Sequence, residues 1–329
     1  MRSRESWGDS RYEWIGRALA LAFVLGGCAS ATGSAPPTAP RVDYHQHLVS
    51  ARFAPIVKFP EMDGRELVAR MDAAGIERAV VLSVGYSFAD ERKNLPDPAG
   101  LTRQENDWTS QQVSASRGRL IGFCSANPLR PDALAEIERC LKLPGMRGVK
   151  LHFGNGGVSL RHPEHAARIG EFFTVAERAK VPVLVHMRAR GGQNYGATDA
   201  QIFLDQVMPK APGIEVVVAH LGASGPGYTA QHEEVMAVFT AAIARKDPRT
   251  RRLYFDMSGI LTAESTADEA ARMAATIRQV GVSRVLYGTD TLRPEGPPLS
   301  GHWALVTTKL GLSEPELRTL ADNRARFAR

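Results

Sequence analysis

The chain has 329 residues and carries 41 Lys and Arg against 35 Asp and Glu, a formal charge of +6. So small an excess over this length, with no basic block interleaved with aromatics, gives nucleic acid no footing. Three cysteines are too few for a disulfide scaffold.

The first 27 residues read as a leader rather than as fold. Arg2, Arg4, Arg11 and Arg17 lie in a mixed-charge stretch, and an apolar run from Ile15 to Gly27 ends in small residues before Cys28. Such a run has the make-up of a secretory signal and is too short and Gly-rich for a secure membrane span. Residues 28–40 carry no charge and no large side chain, and read as a flexible tether. Residues 41–329 are then the folded body, about 290 residues, enough for one large domain. Within it Cys124 and Cys140 form either one disulfide or two buried thiols, and the sequence leaves both open.

Apolar runs alternate with amphipathic segments through this body. Arg41 to Leu48 reads as the first strand and residues 64–74 as a helix with Leu67, Val68 and Met71 on one face. A β-branched run from Glu77 to Val84 follows, then a polar loop, a helix over 102–117, a strand from Leu120 to Ala126 and a helix over 131–142. Arg147 to Phe153, Val181 to Met187, Ile214 to Leu221, Leu253 to Met257 and Arg284 to Gly288 continue the strands. Helices over 163–179, 199–208, 231–245 and 266–280 separate them, the third-last opening near Asp199 as a cap and the last ending at Gly281. A final helix spans 313–327.

Eight strand–helix units predict a (β/α)8 TIM barrel. The strands are continuous apolar runs, as expected where both faces are covered. A doubly wound open sheet competes, but it would not gather groups from units one, five, six and eight, and no Gly-rich phosphate fingerprint follows the first strand.

Polar residues concentrate where the strands end. His45 and His47 close the first strand two residues apart, a spacing that puts both imidazoles on one face of a regular strand. Lys150 and His152 share a face of the fourth, His186 ends the fifth, His220 the sixth, and Asp290 follows the eighth. His45, His47, His186 and His220, four of the nine histidines, thus sit where a barrel has its mouth. Imidazoles with a carboxylate suit zinc or another borderline divalent ion. Arg188 and Arg190, just beyond His186, are candidates for an anionic substrate group, since guanidinium matches carboxylate in a bidentate fork. Arg52, Phe53, Tyr86 and Trp108 are candidates for shaping the pocket, and Gly222 to Tyr228 for a rim loop.

These residues resemble the amidohydrolase superfamily, and more closely its amidohydrolase-related branch, which contains aminocarboxymuconate semialdehyde decarboxylase and dicarboxylate lactone hydrolases. The resemblance covers residues 41–326. The His-x-His of the first strand matches His45 and His47, and the family's later His, His and Asp match His186, His220 and Asp290. Arg147 to His152 is similar to the fourth-strand segment, and Asp322 to Phe327 to the closing motif. The resemblance implies one divalent metal, zinc by preference, held by His45, His47, His186 and Asp290. The alternative is a binuclear centre bridged by a carboxylated Lys150. Asp290 would take a proton from a metal-activated water and His220 would polarise the carbonyl of an amide, ester or lactone. Lys150, His152, Arg188, Arg190 and Arg52 would meet the small-molecule substrate. Decarboxylation of an unsaturated or aromatic acid is the chemical alternative, and a non-catalytic metal- or ligand-binding lipoprotein the alternative of another class. Leu25-Gly26-Gly27-Cys28 resembles the lipobox of bacterial lipoproteins, which implies lipidation at Cys28 and anchoring in the bacterial cell envelope, on the periplasmic side of the outer membrane. Family likeness also implies a homodimer.

Overall fold

The computed structural model describes residues 39–192, 194–291 and 298–329. The leader, Cys28 and most of the tether lie outside the described residues.

Eight short apolar segments form one parallel sheet in sequence order: β1 (Val42–Gln46), β2 (Arg78–Leu82), β3 (Leu120–Ser125), β4 (Met146–His152), β5 (Val183–His186), β6 (Val216–Val218), β7 (Leu253–Asp256) and β8 (Val285–Leu286). The sheet closes on itself. Tyr44 N donates to Tyr287 O at 2.9 Å, Asp290 N to His45 O at 2.8 Å, and Gln46 bridges Thr291 in parallel. The buried Asp43 carboxylate fastens this seam, accepting from His45 N at 3.1 Å, Gln46 Nε2 at 2.7 Å and Thr289 Oγ1 at 2.7 Å. The predicted (β/α)8 barrel is therefore the observed fold.

Alternation along each strand builds two separate cores. Val80, Leu82, Phe123, Leu184, Val217 and Leu286 point into the barrel, where Ala325, Ala328 and Phe327 of the closing segment meet them. Val81, Cys124, Val149, Val185, Val218 and Phe255 point outward, under the helices. Each fully buried aliphatic or aromatic side chain contributes about 1.5–3 kcal/mol. Gly148 makes the inner packing feasible, because a Cβ there would lie 2.5 Å from the Phe123 ring.

β1 departs from regular alternation. Asp43 pairs with Ala79 and Gln46 with Val81, so three steps on β1 match two on β2. This bulge lets Val42 and Tyr44 face the interior core while His45 and His47 face the cavity above it.

The helices Gly64–Ala74 and Pro163–Ala179 match their expected ranges, and Gly281 ends Ala267–Val280 with a positive φ of 89°. Three expectations are corrected. The strand predicted to reach Leu221 stops at Val218, because His220 and Leu221 turn left-handed (φ 53° and 43°). Asp199 is not the cap residue; its helix starts at Ala197, and its carboxylate reaches back to Gly196 N at 3.1 Å. Helix Leu299–Lys309, which buries Leu299, Trp303 and Val306, stands where the sequence pattern predicts no element. Cys124 and Cys140 are joined in a disulfide, their Cα atoms 5.9 Å apart, which ties β3 to the last residue of helix Ala133–Cys140.

Candidate metal centre

A cavity of about 510 Å³ opens at the C-terminal ends of the strands, lined by His45, His47, Lys150, His186, His220 and Asp290 among others. Each of three histidines has one ring nitrogen committed. His45 Nδ1 meets Asp256 Oδ2 at 2.9 Å, His47 Nδ1 meets Leu82 O at 2.7 Å, and His220 Nδ1 meets Ser258 O at 2.8 Å. Facing a carboxylate or carbonyl, each Nδ1 carries the proton, so each Nε2 keeps a lone pair for the cavity.

The three Nε2 atoms converge on one carboxylate. Asp290 Oδ1 lies 3.7 Å from His45 Nε2 and 3.5 Å from His47 Nε2, while Oδ2 lies 4.0 Å from His220 Nε2. These separations are long for hydrogen bonds. They are close to the about 3.3 Å between donor atoms of a tetrahedral site with 2.0–2.1 Å bonds. Among the described residues, His45, His47 and Asp290 form one cluster with ligand atoms within 4.8 Å of one another, and His45, His220 and Asp256 form another. The donors of the first cluster, with only Lys150 Nζ near one of them, fit a divalent ion. Asp256 of the second is saturated: Oδ1 accepts from His220 N at 3.0 Å and Ser258 Oγ at 2.6 Å, and Oδ2 from His45. It orients the imidazole that binds, as carboxylates beside metal-bound histidines do.

The electrostatics favour ligation. Burial pushes the His47 imidazole down to about 3 and lowers His152, His186 and His220, so these rings are neutral at pH 7. Burial would raise Asp290, but His45, His220, His47 and Lys150 outweigh it and hold the carboxyl below its ordinary value. Burial brings Lys150 down to about 8, against the pull of Asp256 and Asp290. Its Nζ lies 3.4 Å from His45 Nε2.

Backbone strain gathers here. His220, Leu221 and Asp290 (φ 56°) are left-handed without being glycine, each at a cost of about 1–3 kcal/mol that the surrounding bonds sustain. Asp256 holds His220 N, and His45 O holds Asp290 N. Gly288 is needed beside them, since a Cβ there would lie 3.0 Å from that of His45.

The other candidates divide. His186 lines the cavity, stacked on His152 with ring centroids 4.1 Å apart, but stands outside both donor clusters. His152 Nδ1 accepts from Asn155 N at 3.2 Å, which leaves its proton on Nε2. Phe53 and Tyr86 line the cavity, as do Ser224, Gly225 and Pro226 of the expected rim loop. The arginines are not among its lining residues. Arg52 bonds Gln104 Oε1 at 3.0 Å, Arg188 bonds Gln231 Oε1 at 2.7 Å, and Arg190 binds Gly154 O, Asn155 O and Asp90. One guanidinium donor of Arg52 and one of Arg188 are thus bound to helix glutamines, and Arg190 is held by two backbone oxygens and Asp90. Trp108 packs on the outer core. Asp256 and Lys93 are not among the site residues that the sequence predicts. Asp256 carried the signal used for its neighbours, a polar residue closing an apolar strand; Lys93, in a polar loop, carried none.

A closed parallel barrel with a histidine–carboxylate donor set at its mouth defines a metal-dependent hydrolase. The chain belongs to the Amidohydrolase family, whose pattern matches residues 42–325, and it is an enzyme of the metal-dependent amidohydrolase superfamily. That membership sets aside the non-catalytic reading. Solved structures with the same fold include an Amidohydrolase II protein (16% identity, TM-score 0.60, covering 88% of this chain and 99% of that one). The IDCase of Metarhizium anisopliae in apo form is similar at 18% identity and TM-score 0.55, over 89% and 97% of the two chains. A probable 2-pyrone-4,6-dicarboxylic acid hydrolase of Acinetobacter baumannii, with citric acid bound, is similar at 14% identity and TM-score 0.52, over 85% and 96%. At these identities the likeness is one of fold. No curated protein sequence matches the chain.

Proposed function

We propose that this enzyme hydrolyses an amide, ester or lactone bond of a small molecule. One observation carries the reading: three imidazole lone pairs, each fixed by a committed Nδ1, face the Asp290 carboxylate. His45, His47 and Asp290 hold one divalent ion, zinc by the chemistry of the donors, with His186 and His220 as further nitrogens at the same cavity. When bound, the ion supplies Lewis acidity and brings water towards ionisation near neutral pH.

The chain's own residues do the rest. Asp290, kept ionised by its neighbours, accepts the proton of the attacking water and returns it to the leaving group. His152, with its proton on Nε2, donates to the carbonyl oxygen as charge develops there. The expected polarising role of His220 passes to His152, because a neutral His220 with its proton on Nδ1 offers a lone pair and no donor. The same groups would serve decarboxylation, and detecting released acid against released carbon dioxide separates the two reactions. Asp290→Asn should keep the fold and lower turnover at least ~100-fold, the loss expected for a proton-transfer group. A fully active variant would overturn the mechanism.

The position of Lys150 favours a second reading of the cofactor. An ammonium 3.4 Å from His45 Nε2 would repel an ion bound there, whereas a carboxylated Lys150 would bridge two ions. Two metals per chain by elemental analysis, falling to one in Lys150→Met, would support it; one metal in both would exclude it.

We also infer export and lipid anchoring through Cys28. The Cys124–Cys140 disulfide supports an oxidising compartment, and no helix of the described residues is long and apolar enough to cross a membrane. Cys28→Ala should release the protein from the membrane fraction; equal retention would refute anchoring at that residue.

A further inference from the structure

The cavity has a second chemical region, contributed by the segments that follow β1 and β2. Phe53, Ile56, Val57 and Val84 give it an apolar wall, and Ser87 and Lys93 bring the polar groups. Lys93 Nζ donates to Ser87 O at 3.0 Å and to Ser87 Oγ, and stands 5.9 Å from the centre of the Phe53 ring. An ammonium has three donors, and these contacts use two.

Asp90, the carboxylate whose charge acts on this cation, forms no ion pair with it. Asp90 takes Arg92 through Nε at 3.0 Å and through the terminal nitrogen, and Arg190 at 3.3 Å. With two guanidiniums on Asp90, Lys93 forms no ion pair among the described residues. Asp290, the one carboxylate among the described lining residues, faces the imidazoles. A half-buried ammonium against an aromatic wall is short of a counter-ion. Burial lowers its pKa, and Asp90 only partly opposes that.

We propose that Lys93 receives a carboxylate of the substrate, whose apolar body lies against Phe53, Ile56 and Val57 while its scissile bond lies at the metal centre. The placing of the scissile bond rests on the hydrolase reading above. One ammonium with one hydroxyl suits a single carboxylate; a phosphate dianion gathers more donors than this region offers. Arg190 then acts indirectly, by occupying Asp90 and leaving Lys93 available.

The test uses two probes of equal shape, isophthalate and 3-carbamoylbenzoate, titrated calorimetrically into the full chain, both zinc-loaded and metal-stripped. Either probe can offer one carboxylate to the ion; only isophthalate has a second for Lys93. Wild type should prefer isophthalate by ~10–100-fold, the range for one charge-assisted hydrogen bond. Lys93→Met and Lys93→Gln should each reduce that preference to about twofold or less, and Lys93→Arg should keep most of it. A wild type without preference, absence of binding included, would overturn the proposal, as would a preference that survives in Lys93→Met. A preference that depends on Lys93 in the stripped chain as well, in a protein that fails to take up zinc, would sink the metal reading and leave this one standing.

Discussion

The two ends of the barrel treat buried polar groups in opposite ways. At the N-terminal end the polar groups around the closing segment are used to shut the structure. Tyr44 OH accepts from Ala325 N at 2.8 Å, Glu215 accepts from Arg326 N and Phe327 N at 3.0 and 3.2 Å, and Asn323 Nδ2 reaches Val285 O at 2.7 Å. The closing segment is stitched across the floor, and Phe327 packs edge-on against Tyr44. At the C-terminal end the bonds to His45, His47 and His220 each fix one side of a ring so that the other side stays open. The same chemistry therefore gives stability below and reactivity above, depending on whether both ends of a polar group are satisfied.

The contrast can be broken in three places. The largest effect should come from Glu105, a buried carboxyl on the mouth side whose Oε2 accepts from Ser50 Oγ at 2.7 Å while Oε1 has no partner. Burial pushes it up to about 7 from an ordinary 4.5. The folded state thus holds the proton more tightly than the unfolded chain. Its contribution is complete below about pH 4.5 and is lost as pH rises to about 7, a difference of roughly 3 kcal/mol. Glu105→Gln should flatten that decline in denaturant titrations at pH 5 and pH 8; an unchanged slope would count against it. Next, Asp256→Asn should free the His45 ring and weaken metal affinity by ~10–100-fold in chelator competition, with little change in melting temperature. Unchanged affinity would make Asp256 a purely structural residue. The smallest effect should be at the floor. Tyr44→Phe keeps the ring but orphans Ala325 N, and should cost about 1–3 kcal/mol by chemical denaturation while metal content stays the same. Lost metal in that variant would mean that the two ends are coupled.

Much of this was legible in the chain. The βα order could be read because each strand is an unbroken apolar run, and the donors because His, Lys and Asp stand out where such runs stop. The closing motif is visible in the sequence, and its geometry explains it: Asn323 ties to β8 and Ala325 to β1. What failed to show was anything decided by distant partners. Arg188 and Arg190 follow His186 directly, yet Gln231 and the Gly154–Asn155 backbone draw them aside. Lys93 matters because two other cations occupy Asp90, a balance no local pattern records. The pairing of Cys124 with Cys140 depended on how a strand and a helix dock, which spacing alone left open.

The extra residue in β1 has a consequence for how such a site is inherited or transplanted. Below the kink the strand obeys one parity and serves the plug; above it the opposite parity serves catalysis. Deleting one residue there would preserve the His-x-His text while rotating both rings outward beneath the helices. A signature search would still find the motif in a protein that had lost its ion.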